Sequence, residues 1–223
     1  MRQILLTCAV LAVAAVPARS LGAPDQAPTS PPAGEYSLDK AHGSLFFRVS
    51  HLGFSHYTAR FSRFDAKLQF DPEHPADQSV TATVDARSIQ TDYPFPALDF
   101  DAQLQSAAWL NAAAYPQMSF RSTKVELTGP KTARIIGDLT LRGVTHPVTL
   151  ETTFNGGYGA NPYDPGGARI GFSAHGSLKR SDYGMTFGIP APGTEFGVGD
   201  QVEVIIEAEF NRPAAPPAAK VGR

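Results

Sequence analysis

Apolar and polar residues alternate along most of this chain, with the two-residue period of β-strands. The alternation is clearest in residues 80–86, 148–154 and 202–210, where valine, isoleucine, leucine and phenylalanine are interleaved with threonine and glutamate. Successive side chains of a strand point to opposite faces, so each run has one apolar and one polar face. Half-buried strands of this kind are typical of antiparallel sheets. The pattern predicts an all-β protein.

Turn-forming residues separate several of these runs. Gly129-Pro130, Gly143 and the pair Gly156-Gly157 each stand next to an alternating segment. Glycine and proline are the strongest local signals for turns. We therefore expect a hairpin turn at each of the three positions.

The stretch from His42 to Phe64 indicates that the sheet curves. Its first strand places on one face Leu45, Phe47, Val49 and His51. After a turn at Gly53, the chain resumes with an apolar face formed by Phe64, Ala66, Leu68 and Phe70. Phe61 is out of step with this second set by one residue, which predicts a bulge near Ser62 or Arg63. Large inward-facing aromatics on sharply bending strands are typical of the wall of a small barrel.

One segment departs from the alternation. Residues 99–111 are rich in alanine and glutamine and begin with acids, which favours a helix with Asp99 or Asp101 near its N-terminus. Its apolar stripe would contain Phe100, Leu104 and Ala107 or Ala108. About eight strands and one short helix predict an antiparallel up-and-down barrel.

Both ends of the chain differ from the middle. Met1-Arg2, an apolar run over 4–16 and Ala18-Arg19-Ser20 are typical of a secretory signal peptide of residues 1–20, cleaved after Ser20 or alternatively Ala23. Residues 21–34 and 212–223 are rich in proline and alanine, so we expect a disordered leader and a disordered tail. The folded domain is predicted over residues 35–211.

Composition narrows the function. The only cysteine, Cys8, lies in the signal segment, so the exported chain would have no disulfide and no thiol nucleophile or cysteine-bound metal. Loss of residues 1–20 removes Arg2 and Arg19 and no acid, which changes the formal charge from −2 to −4. Without a basic patch, nucleic-acid binding is not expected.

The candidate chemistry is sparse. His51 ends an apolar face, and it is either a core histidine or a polar group at the barrel mouth. His51 and His56 fall on opposite faces of an extended chain, so no metal site is predicted. Arg180 and Asp182 form either a structural ion pair or a clamp for a phosphate or carboxylate head group. No catalytic motif is present, so an enzyme using His51 stays only an alternative.

Several motifs, in order, resemble those of the YceI-like family: Tyr36-Ser-Leu-Asp39, His42-x-Ser44, Phe47-x-Val49-x-His51-Leu-Gly53, Ser88-Ile-x-Thr91, Tyr115-Pro116-x-x-x-Phe120, Gly137-Asp-Leu-Thr-Leu-x-Gly143 and Lys179-Arg-Ser-Asp-Tyr-Gly184. The resemblance implies an exported bacterial, lipocalin-like barrel that carries a polyisoprenoid or related lipid in an elongated cavity and is not an enzyme. Where the family often has His-Leu-Arg-Ser, this chain has Gln103-Leu-Gln-Ser106. No charged head-group contact therefore carries over from that segment.

From this resemblance we expect a periplasmic lipid-binding protein with no cofactor, metal or catalytic residue. The cavity would be lined by Phe47, Val49, Phe61, Trp109, Phe120, Leu139, Phe172, Met185 and Phe187. The polar end would hold His51, Arg180 and Tyr183. The positions of Met185 and Phe187 assume that the alternation of the strand over 170–178 resumes at Met185, Phe187 and Ile189. The ligand could be a polyprenyl chain or a quinone-like isoprenoid. A transient membrane association and a homodimer are both compatible with the sequence.

Overall fold

Strands follow one another up and down around a closed ring in a computed structural model that describes residues 29–159, 161, 163–164 and 166–213. The strands are β1 (Gly34–Leu38), β2 (Ser44–His51), β3 (Ser55–Phe61), β4 (Phe64–Phe70), β5 (Ser79–Asp85), β6 (Ile89–Gln90), β7 (Gln117–Leu127), β8 (Thr132–Leu141), β9 (Val144–Tyr158), β10 (Ala168–Lys179) and β11 (Val198–Arg212). The one α-helix among the described residues, α1, spans Phe100–Gln105. The expected signal peptide and most of the leader and tail lie outside the described residues.

The eleven strands form the eight walls of the barrel, which we call staves: three staves consist of two strands with a break between them, and five consist of one strand each. β1 and β2 pair in succession along β11, β3 and β4 form the next stave, and β5 and β6 the one after. β7 to β11 complete the ring, which closes where β1 meets β11. All pairings are antiparallel, and apart from the closing pair of the first and last staves they join staves that follow one another along the chain. The prediction of an all-β, up-and-down barrel of eight strands is confirmed.

The three broken staves bend at adjacent positions. The breaks fall at 39–43, 62–63 and 86–88, so a break between two strands stands where a bulge was predicted, near Ser62 or Arg63. Ser88 holds two breaks together: its hydroxyl accepts from the backbone N–H of Arg63 (3.1 Å) and its carbonyl accepts from that of Ser62 (3.0 Å). The interruption lets both Phe61 and Phe64 point into the barrel, although uninterrupted alternation would separate them.

One predicted turn is wrong. Gly129-Pro130 and Gly143 do lie between β7 and β8 and between β8 and β9, but Gly156-Gly157 lies inside β9. There the register with β10 shifts, and a β-carbon on Gly157 would lie 2.5 Å from the carbonyl oxygen of Arg169. The glycine pair therefore allows a close backbone approach at a bulge rather than a reversal.

The helix is shorter than predicted. Asp99 is its N-cap and accepts from the N–H of Ala102 (2.9 Å), while Asp101 accepts from the N–H (2.8 Å) and hydroxyl (2.6 Å) of Thr91. After Gln105 the chain continues in successive turns instead of a helix. With six residues, the α-helix found in the described chain cannot cross a membrane.

The predicted continuation of a strand through Met185, Phe187 and Ile189 is also wrong. β10 ends at Lys179, a 3-10 turn covers Arg180–Tyr183, and residues 184–197 form a loop. Gly184 (φ +75°) and Gly188 (φ +70°) adopt the left-handed conformation, which interrupts any extended run.

Two buried clusters occupy opposite ends of the barrel. We call the end with α1, the turn at 52–54 and the loop 184–197 the helix end. The other, the terminal end, is where β1 begins and β11 finishes. The cluster at the terminal end includes Tyr36, Leu68, Ile170 and Phe210. The cluster at the helix end includes Ile89, Leu110, Met118, Leu141 and Tyr183.

A charged network fastens the first broken stave to the ring. Nη1 of Arg169 donates to Asp39 (2.5 Å) and Glu209 (3.1 Å), and its Nε donates to Asp164 (3.1 Å). Nδ1 of His42 lies 3.0 Å from the same Asp39 carboxylate. His42 and then Arg169 lower the pKa of Asp39 from 3.8 to about 2. The ionised carboxylate therefore stabilises the fold.

We expect Asp39→Asn to lower the free energy of unfolding at neutral pH. A carboxylate with a depressed folded-state pKa stabilises above its unfolded pKa, and this contribution is lost as pH falls toward the folded value. The deficit of the variant should therefore shrink as pH falls from about 4 toward 2. Urea denaturation at several pH values measures it.

Asp71 provides a matched control. Its carboxylate makes the same contact with a histidine three residues on, His74 (3.1 Å), but in an exposed turn without an arginine partner. Asp71→Asn should change stability far less than Asp39→Asn. A deficit for Asp39→Asn that stays constant down to low pH would contradict the assignment.

Candidate ligand-binding cavity

A cavity of about 1170 Å³ runs through the barrel from one end to the other. It is larger than the roughly 300–1,000 Å³ typical of small-molecule sites. At the helix end its lining reaches the exposed residues His51 and Leu98, and at the terminal end it reaches Leu127 and Lys131. Its length suits an extended molecule.

The inward faces of the long strands make the wall apolar. β9 contributes Val148, Leu150 and Phe154, and β11 contributes alternate residues from Val202 to Phe210. Phenylalanines contact one another across the terminal half: Phe154 and Phe172 have ring centroids 5.3 Å apart, and Phe172 and Phe210 6.1 Å apart. Rings and aliphatic groups of this kind bind a ligand by excluding water rather than by polar contacts.

Aromatic residues also close in on the cavity at the helix end. Phe47 and Phe61 lie 5.6 Å apart between ring centroids. Phe100 of α1 contacts Tyr57 edge-on at 5.7 Å and Tyr93 at 5.2 Å. The helix thus acts as part of the cavity wall, to which it also supplies Gln103 and Leu104.

Arg180 forms a buried polar corner of the cavity. It is 3% exposed, and its guanidinium donates to the carbonyls of Gly199 (2.8 Å), Met185 (2.7 Å) and Val198 (2.7 Å). It also lies 5.4 Å from the ring centroid of Trp109, within cation–π range. Burial lowers its pKa, partly opposed by Asp200. Asp182 is not its ion-pair partner; the carbonyl-bound guanidinium holds the loop 184–197 on β11.

His51 stands beside this corner. It is the last residue of β2 and pairs with Val198, whose carbonyl accepts from Arg180. The imidazole is exposed and lines the cavity. His56 pairs instead with Ser50 on the other face of the hairpin, so the two histidines are not brought together. The prediction of a polar group at a mouth of the barrel therefore matches the position of His51.

Ten of the twelve predicted ligand-binding residues line the cavity: Phe47, Val49, His51, Phe61, Trp109, Phe120, Leu139, Phe172, Arg180 and Met185. The other two lie elsewhere. Phe187 is 59% exposed and packs edge-on against Trp109, with ring centroids 5.5 Å apart. Tyr183 is 2% exposed and packs in the helix-end cluster and against His146, at 5.3 Å between rings. Strand parity does not apply to either residue because β10 ends at Lys179.

Other lining residues were missed. Strand alternation alone could have found Leu45, Phe64, Phe154, Val204 and Ile206. Nothing in the sequence marked Tyr93 and Leu98, because they lie in the irregular segment between β6 and α1. Such loop residues are placed only by tertiary contacts.

One group of possible metal ligands exists among the described residues, formed by Asp39, His42 and Glu209. The guanidinium of Arg169 already donates to both carboxylates. A fixed cation in that position supplies the positive charge that a metal would bring, so we assign the group a structural role.

A closed antiparallel barrel around a long apolar cavity defines a lipocalin-like ligand-binding barrel. The chain belongs to the YceI-like family, because residues 36–210 match the YceI-like domain. The Protein YceI of Salmonella arizonae and that of Salmonella enteritidis are each 39% identical over 180 residues, which is 79% of this chain and 86% of theirs. The resemblance noted in the sequence is thereby confirmed.

Solved structures show the same barrel. The crystal structure of BcnA from Burkholderia cenocepacia has a TM-score of 0.64 at 23% identity and covers 77% of this chain and 98% of its own. The YceI protein of Campylobacter jejuni has a TM-score of 0.60 at 26% identity, covering 73% and 90%. A polyisoprenoid binding domain from Saccharophagus degradans has a TM-score of 0.55 at 15% identity, covering 80% and 98%, and shows likeness of fold.

Proposed function

We propose that this protein is exported to the periplasm and binds a long isoprenoid or related amphiphilic lipid in the barrel, for transport or storage. The observation that carries the proposal is the end-to-end apolar cavity of about 1170 Å³. Burial of an apolar chain contributes about 0.8 kcal/mol per methylene, so several isoprene units bind tightly with few polar contacts. Membership of a family with a polyisoprenoid-binding structural neighbour supports this ligand class.

The proposed orientation places the head group at the helix end, next to His51. The lining of the cavity at this end includes the imidazole of His51, the amide of Gln103 and the buried positive charge of Arg180. Three of the five N–H donors of Arg180 face carbonyls, so two remain for a ligand oxygen. A quinone or phenol oxygen and a phosphate all fit this chemistry.

A binding role agrees better with the corner than catalysis does. In the described part of the chain, no carboxylate or hydroxyl is hydrogen-bonded to the imidazole of His51. An activated nucleophile–base pair needs such an orienting group. We therefore propose that the protein is a carrier and not an enzyme.

Trp109 gives a direct test, because it is the only tryptophan in the chain and lines the cavity. A long-chain ubiquinone is expected to quench its fluorescence to saturation at one ligand per protein, since the quinone would lie beside the ring. A benzoquinone without a tail should quench only in proportion to its concentration. Native mass spectrometry of protein purified without detergent should show the same one-to-one adduct.

Two results together would overturn the proposal: an unliganded mass from the native periplasm, and no saturable quenching by any long-chain quinone or polyprenyl lipid. If the quinone quenches the fluorescence and polyprenyl phosphate does not displace it, the ligand class is restricted to lipids with neutral head groups. Competition by both would extend it to anionic ones.

A further inference from the structure

Exposed hydrophobic side chains are concentrated at one end of the barrel. Of the ten large hydrophobic residues that are exposed in the described chain, eight lie at the helix end and two, Leu127 and Tyr163, at the terminal end. Six of the eight belong to three neighbouring loops and form what we call the hydrophobic rim: Phe54, Tyr93, Phe95, Leu98, Phe187 and Phe196. Exposed patches of this kind mark interaction sites.

Contacts between two of the loops, and between one of them and a residue of the cavity wall, place this part of the rim at the cavity mouth. The N–H of Leu52 donates to the carbonyl of Gly197 (2.8 Å), and the side chain of Glu195 packs on Gly53, so the loops that carry Phe54 and Phe196 adjoin. The loop with Phe196 also carries Phe187, which contacts Trp109.

The third loop continues the rim directly into the cavity. Tyr93 and Phe95 lie 5.6 Å apart between ring centroids. Tyr93 is 38% exposed and Leu98 43% exposed, yet both also line the cavity. A ligand chain leaving the barrel between these residues would pass from the cavity directly onto the apolar side chains of the rim.

The charge of these loops excludes electrostatic attraction to an anionic surface. Residues 52–54, 91–99 and 184–197 contain three acids, Asp92, Asp99 and Glu195, and no lysine or arginine. Binding to anionic lipid headgroups normally relies on clustered basic residues. A surface that accepts this rim must therefore bind it through apolar contact.

We propose that the hydrophobic rim docks the helix end onto the surface of a lipid bilayer, so that the lipid passes between bilayer and barrel. The inference rests on the proposed lipid-binding function. Phe54 (81% exposed), Phe196 (78%) and Phe95 (64%) stand on separate loops, where each ring can enter the interfacial layer of the bilayer individually. Aromatic side chains favour this interface because it is half apolar and half hydrated.

Flotation with neutral phosphatidylcholine vesicles tests the proposal. The wild-type protein should bind, and the triple variant Phe54→Ser/Phe95→Ser/Phe196→Ser should bind at least 100-fold more weakly, because each buried phenylalanine contributes about tenfold or more. None of the three side chains lines the cavity. Tyr163→Ser is the matched control, since it removes an equally exposed aromatic (74%) from the terminal end, and it should bind like the wild type.

Salt and lipid charge separate this mechanism from electrostatic binding. Binding should persist at 0.5 M salt, roughly where exposed charges are screened, and should not increase with phosphatidylglycerol. Loss of binding at high salt, equal binding of the triple variant, or equal weakening by Tyr163→Ser would each overturn the proposal. So would a rim that is instead covered by a second copy, seen as a dimer that only the triple variant dissociates in sedimentation experiments.

The same variants distinguish failure of docking from failure of the proposed function. Saturable quenching of Trp109 by a long-chain quinone delivered in detergent micelles reports the cavity alone. The triple variant should retain this quenching and lose transfer of the quinone from vesicles. If quenching is lost as well, the rim is part of the cavity wall and the docking proposal is overturned.

Discussion

Phe47→Asp is expected to abolish lipid retention while the barrel still folds. Phe47 lies midway along β2, opposite Ala59 and Val204, with its ring against Phe61 at 5.6 Å and its face toward the cavity. The substitution removes the roughly 1.5–3 kcal/mol that a buried phenylalanine ring contributes. It also places a carboxylate beside the ligand chain, where dehydration of the charge opposes binding. Together these effects predict a loss of affinity of at least about 100-fold.

The cavity makes this variant more tolerable than a charge in a packed core. When no ligand is present, water can enter a space of about 1170 Å³ and hydrate the carboxylate. Circular dichroism should therefore show a folded barrel with a lowered melting temperature, and organic extraction should recover no stoichiometric lipid.

Thr58→Asp is the matched control for Phe47→Asp. Thr58 is exposed on the neighbouring strand β3, opposite Arg48, so the substitution Thr58→Asp adds the same charge to the outer face of the barrel. It should retain lipid like the wild type, and Phe47→Leu should retain most of it. A folded Phe47→Asp protein with an unchanged lipid content would show that the ligand does not occupy this cavity.

Removal of Arg180 is expected to have the largest effect on stability. Arg180→Ala leaves the carbonyls of Met185, Val198 and Gly199 without their donor in a buried corner. An unsatisfied buried polar group costs about 1–3 kcal/mol, so the expected loss is about 4 kcal/mol or more. For a domain of this size, that lowers the melting temperature by roughly 10 °C or more.

Lysine should restore only part of this stability. Its ammonium is compact, whereas the three carbonyls are bound by the separate nitrogens of a planar guanidinium. Arg48→Ala is the control: Arg48 pairs with Glu203 on the outside of the barrel, with both side chains more than a third exposed, and such pairs contribute about 0–1 kcal/mol.

Urea denaturation and the Trp109 quenching titration separate two roles of Arg180. If it is mainly structural, Arg180→Lys loses stability while its affinity for a neutral long-chain quinone stays near that of the wild type. If it mainly binds the head group, the lysine variant keeps its stability and loses affinity for polyprenyl phosphate. Unchanged stability of Arg180→Ala would contradict the structural role.

The regular strands were predictable because their environment is regular. In β9 and β11 one face meets the cavity and the other meets water. The alternation of apolar and polar residues therefore shows which side chains face the cavity and which face water. That information was enough to predict an all-β barrel, the inward position of residues such as Phe47 and Phe172, and the interruption beside Phe61. The resemblance to the family added an expected class of ligand.

The sequence by itself therefore determined the strands and their inner and outer faces, because these follow from the two-residue alternation, and the family, because its motifs are present. Only the tertiary structure decided how the staves close, how His51, Trp109 and Arg180 meet at one corner, and why Tyr183 and Phe187 stay outside the cavity. Those positions depend on a 3-10 turn and on loops, in which apolar and polar residues follow no regular alternation. Their side chains are placed by hydrogen bonds and packing with residues distant in the chain, such as the carbonyls of Val198 and Gly199 that accept from Arg180.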